Sequence, residues 1–74
     1  MKKILTIDDI TLLGPVLYQN RTEQGLTVKE ISRRTGLHVN TIWRIERGEG
    51  IPRLDVIRLW CKALGYSEIK ITVK

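Results

Sequence analysis

A single cysteine, Cys61, excludes an internal disulfide framework and any cysteine-rich zinc site in this 74-residue chain. Cysteine scarcity also fits a reducing compartment. No apolar run approaches the roughly 20 residues a membrane helix requires. The most apolar stretch, residues 10–18, is interrupted at Gly14-Pro15. The opening Met1-Lys2-Lys3-Ile4-Leu5 imitates the charged start of a secretory leader, but Asp8-Asp9 cut it short, so a cytoplasmic protein without a membrane partner is expected. Low-complexity tracts and solenoid-period repeats are absent. So are Ser/His/Asp, Cys/His and paired-carboxylate constellations, metal-spaced clusters and glycine-rich phosphate loops. The lone His38 has no ligand neighbours and suits a turn or helix cap. Neither an enzyme nor a cofactor is therefore expected.

What is present is a small, basic, helix-rich chain. At 8.6 kDa it has room for one domain, residues 1–74, with a thin core. Thirteen Lys and Arg face eight Asp and Glu, a net charge of +5. The excess is local. Residues 1–20 net zero, whereas residues 21–53 carry seven basic and four acidic side chains. An anionic partner would meet that middle stretch.

Helix punctuation is dense. Thr6 and Asp9 read as a capping box opening a first helix, with Leu12, Leu13, Val16 and Leu17 as its apolar stripe, a break at Gly14-Pro15 and an end at Gly25. Thr27 and Glu30 form a second capping box before a short helix that presents Val28 and Ile31 and stops at Gly36. A third helix begins near Val39, turns Ile42 and Ile45 inward and ends at Gly48. A fourth runs from about Arg53 to Leu64, with Leu54, Ile57, Cys61 and Leu64 on one face. Val56, Leu59, Trp60 and Ala63 make it apolar around most of its circumference, which predicts a second subunit as cover. Residues 68–74 then alternate polar and apolar, a strand pattern. A lone strand leaves its ladder unmade, and Lys2 to Thr6 is a weak partner candidate. Pairing of residues 66–74 between two copies, through Ile69, Ile71 and Val73, is therefore expected.

Two short helices joined across Thr35-Gly36-Leu37-His38 form the helix-turn-helix arrangement. Three stretches, Gly25-Leu26-Thr27, Ile45-Glu46-Arg47-Gly48 and Pro52-x-Leu54-x-x-Ile57 with Ala63-Leu64-Gly65, make the chain similar to the Xre/Cro/CI-type family of DNA-binding repressors. The resemblance implies a mainly α fold: a lambda-repressor-like bundle of four to five helices, here followed by the short dimer-pairing strand. That strand further resembles the HipB-like antitoxins, which implies a HipA-type Ser/Thr kinase toxin as partner. A stand-alone phage Cro-type repressor, and an interaction subunit that no longer reads DNA, are the alternatives.

Roles follow from the resemblance position by position. Val39, Asn40, Thr41, Trp43 and Arg44 would face the major groove of a pseudo-palindromic operator, read by a homodimer. Asn40 and Arg44, four apart, would point the same way toward base edges. Thr27, Lys29, Thr41 and Arg47 would meet the phosphate backbone, and Arg53 the backbone or the minor groove. Val28 stands where the family usually has Gln, removing one DNA contact. Trp43, flanked by the inward Ile42 and Ile45, lies outside the core and suits DNA or a partner, with half-buried packing as the plainer alternative. Arg21 and Glu46 occupy the family's structural ion pair.

Overall fold

The computed structural model describes residues 3–72. In order they form β1 (Ile4–Ile7), a 3-10 turn (Ile10–Leu12), α1 (Leu13–Glu23), α2 (Val28–Thr35), α3 (Val39–Glu46), α4 (Leu54–Ala63) and β2 (Glu68–Ile71). This is the expected four-helix bundle with a terminal strand.

The entry into α1 differs from expectation. Thr6 belongs to β1 and caps nothing. Asp9 instead caps the 3-10 turn, its carboxylate accepting from the Thr11 N–H at 3.0 Å and the Thr11 hydroxyl at 2.8 Å. These bonds hold its pKa below the usual value. Because α1 starts at Leu13, Pro15 falls in the first turn, where a helical N–H has no partner to lose. The expected break is therefore a beginning. Leu13 and Leu17 face the core, while Leu12 stays half exposed.

The second capping box forms as expected. The Glu30 N–H donates to Thr27 Oγ1 at 3.1 Å, and the Thr27 N–H donates to Glu30 Oε1 at 3.3 Å. Gly36 takes φ +78°, the left-handed region that lets α2 end and the chain turn at once. Ser32 Oγ donates to the Leu37 carbonyl at 2.5 Å and bridges that turn. His38 caps α3, its Nδ1 accepting from the Asn40 N–H at 3.1 Å.

The core is a single cluster fed by β1 and all four helices: Leu5 and Ile7 from β1, Leu13 and Leu17 from α1, Ile31 from α2, Ile42 and Ile45 from α3, and Ile57, Trp60 and Cys61 from α4, with Leu64. Trp60 was expected at a subunit interface, but it is fully buried within its own chain. The reason is geometric. Ile57, Trp60, Cys61 and Leu64 fall at i, i+3, i+4 and i+7, a better inward stripe than one starting at Leu54, which turns outward and stays exposed. Val56 and Ala63 are half-buried against the core, and Leu59 is largely exposed.

The terminal strand also differs from expectation. β2 pairs in parallel with β1 of the same chain, in the register Ile4↔Glu68, Leu5↔Ile69, Thr6↔Lys70 and Ile7↔Ile71. Bonds from the Ser67 N–H to the Lys3 carbonyl (2.8 Å) and from the Thr72 N–H to the Ile7 carbonyl (2.9 Å) extend the ladder. Parallel strands need a long crossover, and here the whole helical bundle supplies it. Ile69 and Ile71 pack against this chain's own core, and β2 finds a pairing partner within its own chain. Val73 lies outside the described residues.

Candidate nucleic-acid interface

α3 has two unlike faces. Ile42 and Ile45 are buried, whereas Asn40, Thr41, Trp43 and Arg44 are exposed. The buried stripe anchors the helix and leaves the opposite side free along its length. Asn40 and Arg44 share that free side, one turn apart. Val39 is half-buried.

Three contacts set the angle at which α3 is held. First, a Cβ added to Gly14 would lie 2.2 Å from the Ile45 carbonyl oxygen and 3.1 Å from that of Glu46, so α1 touches the end of α3 backbone to backbone. Second, Arg21 grips Glu46 with both arms: Nε to Oε2 at 2.6 Å and Nη2 to Oε1 at 3.0 Å. The remaining nitrogen, Nη1, donates to the Leu26 carbonyl at 2.8 Å, bringing the α1–α2 link into the same clamp. Arg21 is buried, and its bonds to Glu46 raise its pKa. Third, the Ser32 and Thr35 hydroxyls tie down the turn leading into α3. Thr35 Oγ1 accepts from the Leu37 N–H at 3.1 Å.

The other residues singled out from the sequence come mostly from the elements before and after α3. Thr27 and Lys29 are exposed at the start of α2. Val28 between them packs partly against the core, so little of its side chain is presented outward. Arg53 borders one groove with Thr41, Arg44 and Val56, floored by Gly50, Ile51 and Pro52. Trp43, about half exposed, shares a shallow hollow with Tyr18, Glu46 and Arg47. Tyr18 also carries the Arg21 guanidinium 5.3 Å above its ring, extending the clamp to the surface. Arg34, otherwise assignable to a solvated face, donates to the Ala63 carbonyl at 2.9 Å and satisfies the C-terminal end of α4. Among the described residues no His/Cys/Asp/Glu cluster is arranged to hold a metal, and no helix is long and apolar enough to cross a membrane.

Two features went unseen in the sequence. From the sequence Gly14 reads only as half of a breaker pair. Its signal was available, since glycine inside an apolar helical stretch implies a close approach. The second is that Arg47 and Arg53 are each ion-paired with an acid two residues on, Glu49 at 2.9 Å and Asp55 at 2.7 Å.

Residues 17–71 match the helix-turn-helix family HTH_3. Among solved structures, a point mutant of the restriction-modification controller protein C.Esp1396I is similar in fold. It superposes with a TM-score of 0.73 at 24% identity, over 78% of this chain and 75% of that one. No curated protein matches the chain.

Proposed function

Because the chain belongs to this Xre/Cro/CI-type helix-turn-helix family of DNA-binding regulators, we propose that it is a sequence-specific repressor that binds a pseudo-palindromic operator as a homodimer. The observation that carries this reading is the division of α3 into a locked inner face and a fully presented outer one. Asn40 and Arg44 are the base readers, suited to adenine and guanine edges in the major groove. Trp43 and the exposed part of Val39 offer apolar surface to thymine methyls. Thr27, Lys29, Thr41, Arg47 and Arg53 hold the backbone on either side. Arg21 and Glu46 act through α3 and not on DNA. The role needs neither catalysis nor a cofactor, and the cytosol is its setting.

The subunit contact falls on the outer face of α4, where Leu54 and Leu59 remain exposed and Val56 and Ala63 are half-buried. Two copies joined there would carry their α3 helices to half-sites about 34 Å apart. The narrower antitoxin reading, with a HipA-type kinase as partner, drew its support from a strand shared between subunits. Here β2 pairs with β1 of its own chain, and the reading retained is an operator-binding repressor.

A mobility-shift titration with DNA flanking the chain's own gene tests it. Affinity should fall steeply with salt as counterions are released. Asn40→Ala and Arg44→Ala should each weaken that site by about 1–3 kcal/mol and leave random duplex little affected. Light scattering should give a dimer that Leu59→Lys dissociates. Absence of salt-sensitive binding would reduce the protein to an interaction module.

A further inference from the structure

Two of the arginines placed on the DNA face are already engaged. Arg47 Nε lies 2.9 Å from Glu49 Oε2. Arg53 meets Asp55 with two arms, Nη2 to Oδ2 at 2.7 Å and Nε to Oδ1 at 3.2 Å. In both pairs the acid follows the arginine by two residues, and the pairs bracket the segment that links α3 to α4. All four side chains are more than half exposed, so burial compels neither contact. Arg44, on the free side of α3, makes no ion pair among the described residues.

We propose that Glu49 and Asp55 set the affinity of this interface: each holds an arginine that a DNA phosphate must recruit, so binding exchanges a carboxylate for a phosphate at both ends of the loop. The proposal rests on the DNA-binding reading above. A carboxylate and a phosphate offer guanidinium the same charge-assisted, two-pronged partner, so they compete for one fork. Asp55 has a second effect. It lies in the first turn of α4, where its charge offsets the positive helix end that would otherwise draw a phosphate. Glu49 also lines the groove bordered by Thr41, Arg44 and Arg53, so its charge acts on the same face as those side chains. A homodimer carries two copies of each pair. Because phosphates carry no sequence, the two acids weaken binding to every duplex alike and leave the choice of base to α3.

The test uses the full chain and a labelled duplex of mixed sequence, followed by anisotropy. Glu49→Gln and Asp55→Asn are compared with Glu23→Gln, which changes net charge equally. Glu23, at the end of α1, accepts from Gln19 Nε2 at 3.1 Å, so its replacement releases no arginine. At roughly 50 mM salt each loop variant should bind two- to fivefold more tightly than wild type, and the double variant more tightly still. Glu23→Gln should gain clearly less. The advantage should shrink as salt screens the carboxylates. Glu49 lies outside every helix, so its variant remains decisive even if Asp55→Asn loosens α4. Loop variants no tighter than Glu23→Gln would overturn the proposal while the DNA-binding reading stands. A wild-type chain that binds no duplex at this salt would instead remove that reading first, and the proposal with it.

Discussion

Replacing Gly14 with alanine is the sharpest probe of how α3 is held. In most helices this change stabilises, since alanine gains up to about 1 kcal/mol over glycine. Here the new methyl carbon would sit 2.2 Å from the Ile45 carbonyl oxygen. An ordinary carbon–oxygen contact is about 3.3 Å, so α1 must retreat by about 1 Å. The obstacle is backbone, and no side-chain rotation relieves it. Forced overpacking of this kind costs about 1–3 kcal/mol, and the new gap weakens dispersion contacts beside it. The helix-propensity gain is reduced at a first-turn position, leaving a net loss of about 1–2 kcal/mol. For a domain of this size that is a fall in Tm of roughly 4–16 °C, readable by circular dichroism. The displacement should also strain the Arg21–Glu46 clamp, two turns along the same helix. A double-mutant cycle between Gly14→Ala and Arg21→Lys should therefore depart from additivity. A Gly14→Ala protein that melts at or above wild type would refute the close contact on which the orientation of α3 depends.

Removing Arg21 altogether strands the buried Glu46 carboxylate, and Arg21→Ala should lose about 3–5 kcal/mol in a urea titration. Thr27→Ala deletes one arm of the capping box and should lower stability by about 0.5–2 kcal/mol, measured the same way. Burial pushes the Cys61 thiol up to about 11 from an ordinary 9.0. It should resist thiol reagents at about pH 8 in the native protein and react at once in denaturant. The unfolded chain ionises first, so this contribution is intact below about pH 9 and is lost as pH rises through 11. Thermal melts across that range should fall less for Cys61→Ala than for wild type.

Local chemistry was legible in the sequence where the governing partners are close along the chain. The Thr27–Glu30 box, the Gly36 turn and the His38 cap each involve residues two to five apart, and all formed as expected. The outward face of α3 was legible for the same reason, because Ile42 and Ile45 fix the phase of the helix. What failed needed tertiary information. Helix α4 is apolar nearly all round, so its pattern admits more than one inward face. Only packing against α2 and β2 decides that Trp60 goes in and Leu54 comes out. β1 is four residues long and pairs with a strand 64 positions away, a distance no periodicity spans. The paired states of Arg47 and Arg53 depend on side chains folding back within exposed loops, which the charge count over residues 21–53 does not reveal.

The parallel pairing of β1 with β2 has a kinetic corollary. Closing a loop of that span in a disordered chain opposes pairing by about 4 kcal/mol, far more than a four-residue ladder can return. The two strands can meet only after the helices have assembled and delivered them to one another. The little sheet is thus a latecomer in folding, and its amides are gauges of whether everything between them is already in place.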